Sequence, residues 1–469
     1  MGAIWSSTRN LSLECQTKPQ VDCNKRRRLS IFDLDGRPRI ISGLPDEIAI
    51  QILARVPRGC YSRLKTVCKT WNYVLTDSEI FKLRKDMGLT EEWLYILLKD
   101  EEEKLLWHTL DPSSGKWQGL PPMPDIVHEE ESNQTGLGWT FWNALGNSSS
   151  RLTGLVKNWL GRKDSLDRTP FCGCAVGSLD GCLYVLGGFS RACALRCVWR
   201  FDPRINAWAE VASMATARAY CKTASLDNKL YAVGGVNRGR GGLTPLQSAE
   251  VYDPATNTWR EISSMPFARA QVLPTAFLAD MLKPIATGMT TFRGKLCVPQ
   301  SLYSWPFFVD VGGEMYDPAA DSWMEMPNGM GEGWPARQAG TKLSVVVNGD
   351  LYALDPSSSL DSGKIKMYDS QGDAWKVVLR KVPILDFTDS ESPYLLAGFM
   401  GKLHVITKNS LDDIAVLQAD TSEPTCVSSS SSPPCSSLAA SNSEGDGWKT
   451  IASKSFGFVE LVNCQVLDI

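Results

Sequence analysis

At 469 residues the chain is too long for one ordinary hydrophobic core unless a repeated unit builds it. Hydrophobic residues make up 43% and charged residues 22%, the balance of a soluble globular protein. The net charge of −3 gives no bulk attraction to nucleic acid or to an anionic membrane.

No run of about 18 apolar residues occurs, and the N-terminal segment lacks a signal-peptide core, so cytoplasm, nucleus or both are expected. The 14 cysteines fall mostly in apolar, strand-like runs and read as buried thiols in a reducing compartment. There are only three histidines, His108, His128 and His404, in separate contexts, which argues against a metal or histidine catalyst.

Residues 1–39 read as a disordered tail with two short signals. Lys25-Arg26-Arg27-Arg28 matches a nuclear signal, whereas MGAIWS fits myristoylation of Gly2, with the basic cluster as the second membrane signal. A plain solvated tail is the third reading, and membrane attachment is expected only if Gly2 is acylated.

Residues 40–85 read as short helices. Ile48, Ile52, Leu53 and Val56 share one helical face after the start signal Pro45-Asp46, and Leu64, Val67, Cys68, Trp71, Val74 and Leu75 follow at helical spacing. So short a segment cannot bury that much apolar surface alone, so a partner is implied. The pattern LP-x-E-x-x-x-x-IL-x-x-VP, then L-x-x-VC-x-x-W, resembles the F-box. That resemblance implies docking of a Skp-type adaptor, and through it a cullin, with Leu44, Pro45, Ile48, Ile52, Leu53, Leu64, Val67, Cys68 and Trp71 as adaptor-binding and core positions. The sequence does not separate the two groups.

Residues 86–469 carry an internal repeat. An Asp stands six residues before a Trp in TLDPSSGKW, RFDPRINAW, VYDPATNTW, MYDPAADSW and MYDSQGDAW, which end at Trp117, Trp208, Trp259, Trp323 and Trp375. A second motif, as in GCLYVLGG and NKLYAVGG, places Leu183, Leu230, Leu296, Leu351 and Leu403 at 47, 66, 55 and 52 residues apart. A period near 50 with four short strands per unit reads as a propeller blade. Gly187-Gly188 and Gly234-Gly235 are expected to give positive-φ exits, and Trp208, Trp259, Trp323 and Trp375 to wedge between strands or blades. The Gly pair is absent at Pro299, Asp355 and Thr407, which leaves the loop geometry there open.

LYAVGG followed by VYDPATNTW resembles the kelch repeat, and helices of this kind ahead of it are the arrangement of plant F-box/kelch proteins. The expected fold is mainly β: a six-bladed kelch-type propeller, preceded by the small α-helical F-box. Its first blade begins at EEWLYILLKD without a first strand, and the spare C-terminal strand GFVELVNCQVLDI is expected to complete that blade and close the ring.

Two inserts interrupt the period. Residues 125–170 end in SRLTGLVKNWLGRK, with Leu152, Leu155, Val156, Trp159 and Leu160 at helical spacing among Arg151, Lys157, Arg162 and Lys163. This reads either as a helix packed on the propeller or as a partner- or membrane-binding helix. Extra residues near Leu273–Lys283 are expected to enlarge the same face. Residues 423–444 are Ser-rich and read as a disordered loop, plain or phosphorylated.

Arg218, Arg269 and Arg337 precede the first strands of successive blades. They read either as a basic ring for an acidic target or as donors to a neighbouring blade's carbonyls, with Arg238 and Arg240 as freer candidates on the same face. The resemblance implies the substrate-recognition subunit of an SCF-type ubiquitin ligase: no catalytic residue, no cofactor or metal, and an unidentified protein target. The alternatives are a non-degradative scaffold and an enzymatic propeller similar to galactose oxidase. For the latter, Cys172-x-Cys174 and Cys193-x₃-Cys197 have poor zinc spacing.

Overall fold

The computed structural model describes residues 39–124, 171–190, 193–239, 242–268, 283–304, 307–336, 343–356, 363–384, 393–419 and 447–469. Gly2, Lys25–Arg28, the inserts 125–170 and 423–444, most of the 273–283 stretch, Arg240, Arg269 and Arg337 lie outside them.

The N-terminal helices are α1 (Asp46–Arg55), α2 (Tyr61–Leu64), α3 (Lys69–Val74) and α4 (Ser78–Asp86), with a single 3₁₀ turn at Arg58–Cys60. The helical periodicity from Leu64 to Leu75 is broken in the structure. Cys68 takes an extended conformation, and its Sγ caps α3 by accepting from the Trp71 N–H at 3.4 Å. Leu53, Ala54, Tyr61, Val74, Leu75 and Ile80 form the small core of the helices.

The remaining chain forms six antiparallel blades of a β-propeller. The first pairs Val459–Asp468 with Glu92–Asp100, then Leu105–Leu110 and Trp117–Gly119, so the C-terminal strand closes the ring through a register running from Glu92↔Asp468 to Asp100↔Val459. The second (175–211), third (222–262), fifth (344–382) and sixth (394–454) run in simple up-and-down order, and the fourth (283–325) carries an extra short strand, Thr290–Phe292. Hydrophobic clusters fill each of the six junctions between neighbouring blades, so packing is continuous around the ring.

The repeated motifs lie at these junctions. The indole N–H of Trp208, Trp259, Trp323, Trp375 and Trp448 donates to the carbonyl of Pro121, Ala212, Ser263, Met330 and Lys381, each in the preceding blade or just after it, at 2.6–3.1 Å. A further device accompanies the tryptophans. Two residues before Trp259, Trp323 and Trp375, the left-handed residues Asn257, Asp321 and Asp373 accept from the Tyr252, Tyr316 and Tyr368 hydroxyls of their own blade. The same side chains accept backbone N–H groups of Ala212, Ser263, and Gly329 with Met330, from the preceding blade.

The Gly pairs are required where two blades meet. Gly187 has φ 56°, and a Cβ there would fall 2.1 Å from the Arg218 carbonyl oxygen; at Gly235, φ 85°, the distance to the Ala219 oxygen would be 2.5 Å. Where the pair is missing, the second strand runs on as β structure, over Lys295–Ser304, Asp350–Asp355 and Lys402–Lys408, with a register shift between Pro299 and Ser301 in the first of these. The thiols are less uniformly buried than expected: Cys60, Cys68 and Cys193 are exposed, because they sit on helix ends and a loop ribbon rather than in blade strands.

His404 occupies the place that Tyr184, Tyr231 and Tyr352 take in other blades. It is buried, it donates from Nδ1 to the Lys402 carbonyl at 3.1 Å, and its ring meets Phe399 edge-on. Burial lowers its pKa from 6.5 to about 4, offset only in part by Lys402 and Gln418. The unfolded chain therefore binds a proton near pH 6.5 that the folded chain refuses until near pH 4, and stability falls as pH drops through that window. Between pH 7.5 and 5 the chain should lose about 2 kcal/mol more than a His404→Tyr variant, measured by denaturant unfolding at both pH values. Equal losses would show that the ring is not the group responsible.

Candidate interaction surface

Each residue of the helices now has a place. Ile48, Ile52 and Val67 are large aliphatic side chains left 45%, 43% and 60% exposed, with Pro45 and Cys68 exposed beside them and Leu44 half-buried. Leu53, by contrast, is 1% exposed. Leu64 and Trp71 pack on the same core, and the Trp71 indole donates to the Ile40 carbonyl at 2.8 Å. The nine positions thus divide into an outward apolar row and a set of core supports. The row follows from sequence spacing: Ile48 and Ile52 stand four apart on one face of α1, whereas Ala49, Ile50 and Leu53 face inward.

Part of the surface that seemed to need a foreign partner is covered by the propeller. The helices sit on the Asp-to-Trp turns of the first two blades. Arg58 donates from its guanidinium to the Pro203 carbonyl at 2.6 Å, and Lys65 donates to the Arg204 carbonyl at 2.7 Å. Arg58 and Arg204 lie over the Phe81 ring at 5.3 and 5.9 Å, a desolvated cation–π contact on both sides of the junction. Gly59 comes close enough to the first blade's turn that a Cβ would stand 2.7 Å from Asp111 Oδ2. Burial lowers the pKa of both Arg58 and Lys65, as expected for cations drawn into an interface. None of Arg58, Lys65 or Arg204 was singled out by sequence. The available signal was Arg204, which stands where the other turns carry Ser113, Ala255, Ala319 and Gln371.

The opposite face carries the Gly-Gly exits. Over the second and third blades it rises into two small β-ribbons, Phe189–Ser190 with Cys193–Ala194 and Val236–Gly239 with Gly242–Pro245, joined by a satellite cluster of Phe189, Ala219 and Val236. The fourth blade adds the long hairpin Lys295–Ser304/Phe307–Asp317 on this side. Arg238 is exposed on the second ribbon.

Arg218 corrects the expectation of a basic ring. It is 0% exposed and pairs with the equally buried Glu250 at 2.8 Å. Its Nη1 donates to the Gly234 and Ser248 carbonyls, while its backbone joins the second blade by donating to the Leu195 carbonyl and accepting from the Gly188 N–H. A guanidinium in that position secures its own blade and cannot touch a target. Among the described residues no group of His, Cys, Asp and Glu could hold a metal ion, and no helix is long and apolar enough to cross a membrane.

Comparison with known proteins gives a consistent result. The F-box domain family matches residues 41–83, and the Kelch motif matches residues 170–215 and 217–266. F-box/kelch-repeat protein At1g22040 of Arabidopsis thaliana is 58% identical over 98% of this chain and 99% of its own length. F-box/kelch-repeat protein At1g30090, from the same plant, is 30% identical over 71% of this chain and 68% of its own. F-box protein AFR, also of Arabidopsis thaliana, is 26% identical over 67% of this chain and 68% of its own.

Proposed function

The chain belongs to the F-box/kelch-repeat family, and from that premise we propose that it is the substrate-recognition subunit of an SCF-type ubiquitin ligase. The F-box helices dock a Skp-type adaptor, and through it a cullin, while the propeller holds a protein target. The chain supplies no catalytic group; ubiquitin transfer is left to other subunits.

The observation that carries this reading is the row Ile48, Ile52 and Val67. Burying such side chains is worth about 1.5–3 kcal/mol each, and these three stay outward even after the helices have docked on the propeller. For the target, the raised face with the Gly-Gly exits is favoured. The F-box takes up turns on the other face, and of the two candidate arginines among the described residues, Arg218 and Arg238, it is Arg238 that is exposed, on the raised face.

The test is capture by a purified Skp-type adaptor. The intact chain should bind, and Ile48→Asp with Ile52→Asp should lower the captured amount more than ~100-fold, as expected for the loss of about 3 kcal/mol or more of apolar burial. The thermal midpoint of the propeller should not move. Equal capture by the variant would overturn the proposal.

A further inference from the structure

We infer that the F-box and the propeller are one rigid body, with Glu91 as the positioning residue that joins them through Arg58 and Arg84, and Arg204 as a separate second anchor. The geometry stands without the ligase reading; only its purpose rests on that reading.

Only Met87–Glu91 connects the end of α4 to the first propeller strand, too short a link to fold on its own and enough, if loose, to let the helices swing. The structure removes that freedom. Arg84 of α4 is 2% exposed. Its guanidinium donates to the Ala54, Val56 and Leu89 carbonyls at 2.6, 2.8 and 2.7 Å and to Glu91 Oε1 at 2.8 Å. The same carboxylate oxygen accepts the Arg58 backbone N–H at 2.9 Å. Glu91 is also where the ring closes, since its N–H and carbonyl pair with the carbonyl and N–H of Ile469 at 2.9 and 3.0 Å. One residue therefore grips α4, the turn after α1, and both ends of the propeller.

A second anchor lies away from the link. In the second blade's turn, Arg204 is clamped to Asp202 through Nε at 2.8 Å, lies over Phe81, and offers its carbonyl to Lys65. Two anchors on separate blades fix both distance and angle, which one alone would not do. Ile48, Ile52 and Val67 take no part in either and remain outward.

A rigid connection has a use in this setting. It holds the target-binding face at a fixed distance from the adaptor, so a bound target stays at high effective concentration near the transfer machinery, where a loose tether would dilute it.

The test uses the full chain with nitroxide-bearing non-natural residues at Gln51 and Leu411, exposed sites on α1 and the sixth blade. Pulsed electron spin resonance should give one narrow distance distribution. Glu91→Gln, which keeps the acceptor, should leave it narrow. Glu91→Ala with Gly59→Leu should broaden it at least twofold. Arg58→Ala with Arg204→Ala, which spares the ring closure, should broaden it as well. A broad distribution in the native chain, or a narrow one in both double variants, would overturn the inference. Adaptor capture is measured on the same samples: a narrow native distribution without capture would remove the ligase reading and leave the rigid body standing.

Discussion

Replacing Arg218 by Ala should destabilise the propeller by about 3–5 kcal/mol, the cost of leaving one partner of a buried ion pair behind. Both side chains are 0% exposed. The guanidinium closes five hydrogen bonds, to Glu250 Oε1 twice, to Ser248 Oγ, and to the Gly234 and Ser248 carbonyls. Glu250 would keep the Ala215 and Thr216 N–H groups but lose its counter-charge, and the two carbonyls would lose their donors. Arg218→Lys should recover little, because one ammonium cannot reproduce the planar fork. The Arg218→Ala/Glu250→Ala pair should cost less than the sum of the single changes, with a coupling of about 1–3 kcal/mol. Denaturant unfolding of the four proteins gives the cycle. If Arg218→Ala unfolds within about 0.5 kcal/mol of the native chain and loses target capture instead, the side chain serves a binding surface after all.

That correction shows what one-dimensional reading can and cannot reach. The period, the blade count and the use of the C-terminal strand were legible because each rests on local pattern: alternating apolar strands, turn residues, and a Trp at constant offset. Arg218 was ambiguous because its role depends on Glu250, a third-strand residue 32 positions away. The Asn257, Asp321 and Asp373 clamps were within reach, since their offset from the Trp repeats as faithfully as the Asp-Pro does. Their meaning appears only when the preceding blade's N–H groups are in place. The F-box positions could not be divided into docking and core by spacing alone, because Ile52 and Leu53 are neighbours in sequence and differ only in which side of α1 the other helices cover. The clasp at Glu91 was hidden for a further reason. It joins two modules that the sequence presents as separate, and its partners are ordinary surface residue types whose burial follows from docking. In the second blade the repeat itself has been altered to receive the helices, so a departure from the repeat, Arg204, marked the interface better than the repeat did.

Truncating the chain after Phe458 should have the largest effect, because it removes the strand that makes the ring a ring. Val459–Asp468 pairs along the whole of Glu92–Asp100, and its loss would bare the edge of a strand whose Leu94, Ile96, Leu97 and Leu98 are all 0% exposed. Val459, Leu461, Leu467 and Ile469 are themselves 4%, 3%, 1% and 5% exposed, and together they contribute to both clusters that flank the first blade. At about 1.5–3 kcal/mol each, those four side chains supply roughly 6–12 kcal/mol, comparable to the whole stability of a typical domain. The strand also ties the neighbours, with Gln465 donating to the Val176 carbonyl in the second blade and Cys464 donating to the Leu396 carbonyl in the sixth. The truncated chain should therefore lose its cooperative thermal transition, or melt more than ~10 °C lower, and aggregate through the open edge. A peptide spanning 459–469, added in trans, should restore the transition in proportion to its concentration, because it binds only the folded ring. Melting within a few degrees of the native chain would mean that the four junctions the strand does not reach hold the propeller without closure. Loss of F-box orientation should accompany loss of the strand, since Glu91 then gives up both backbone bonds to Ile469.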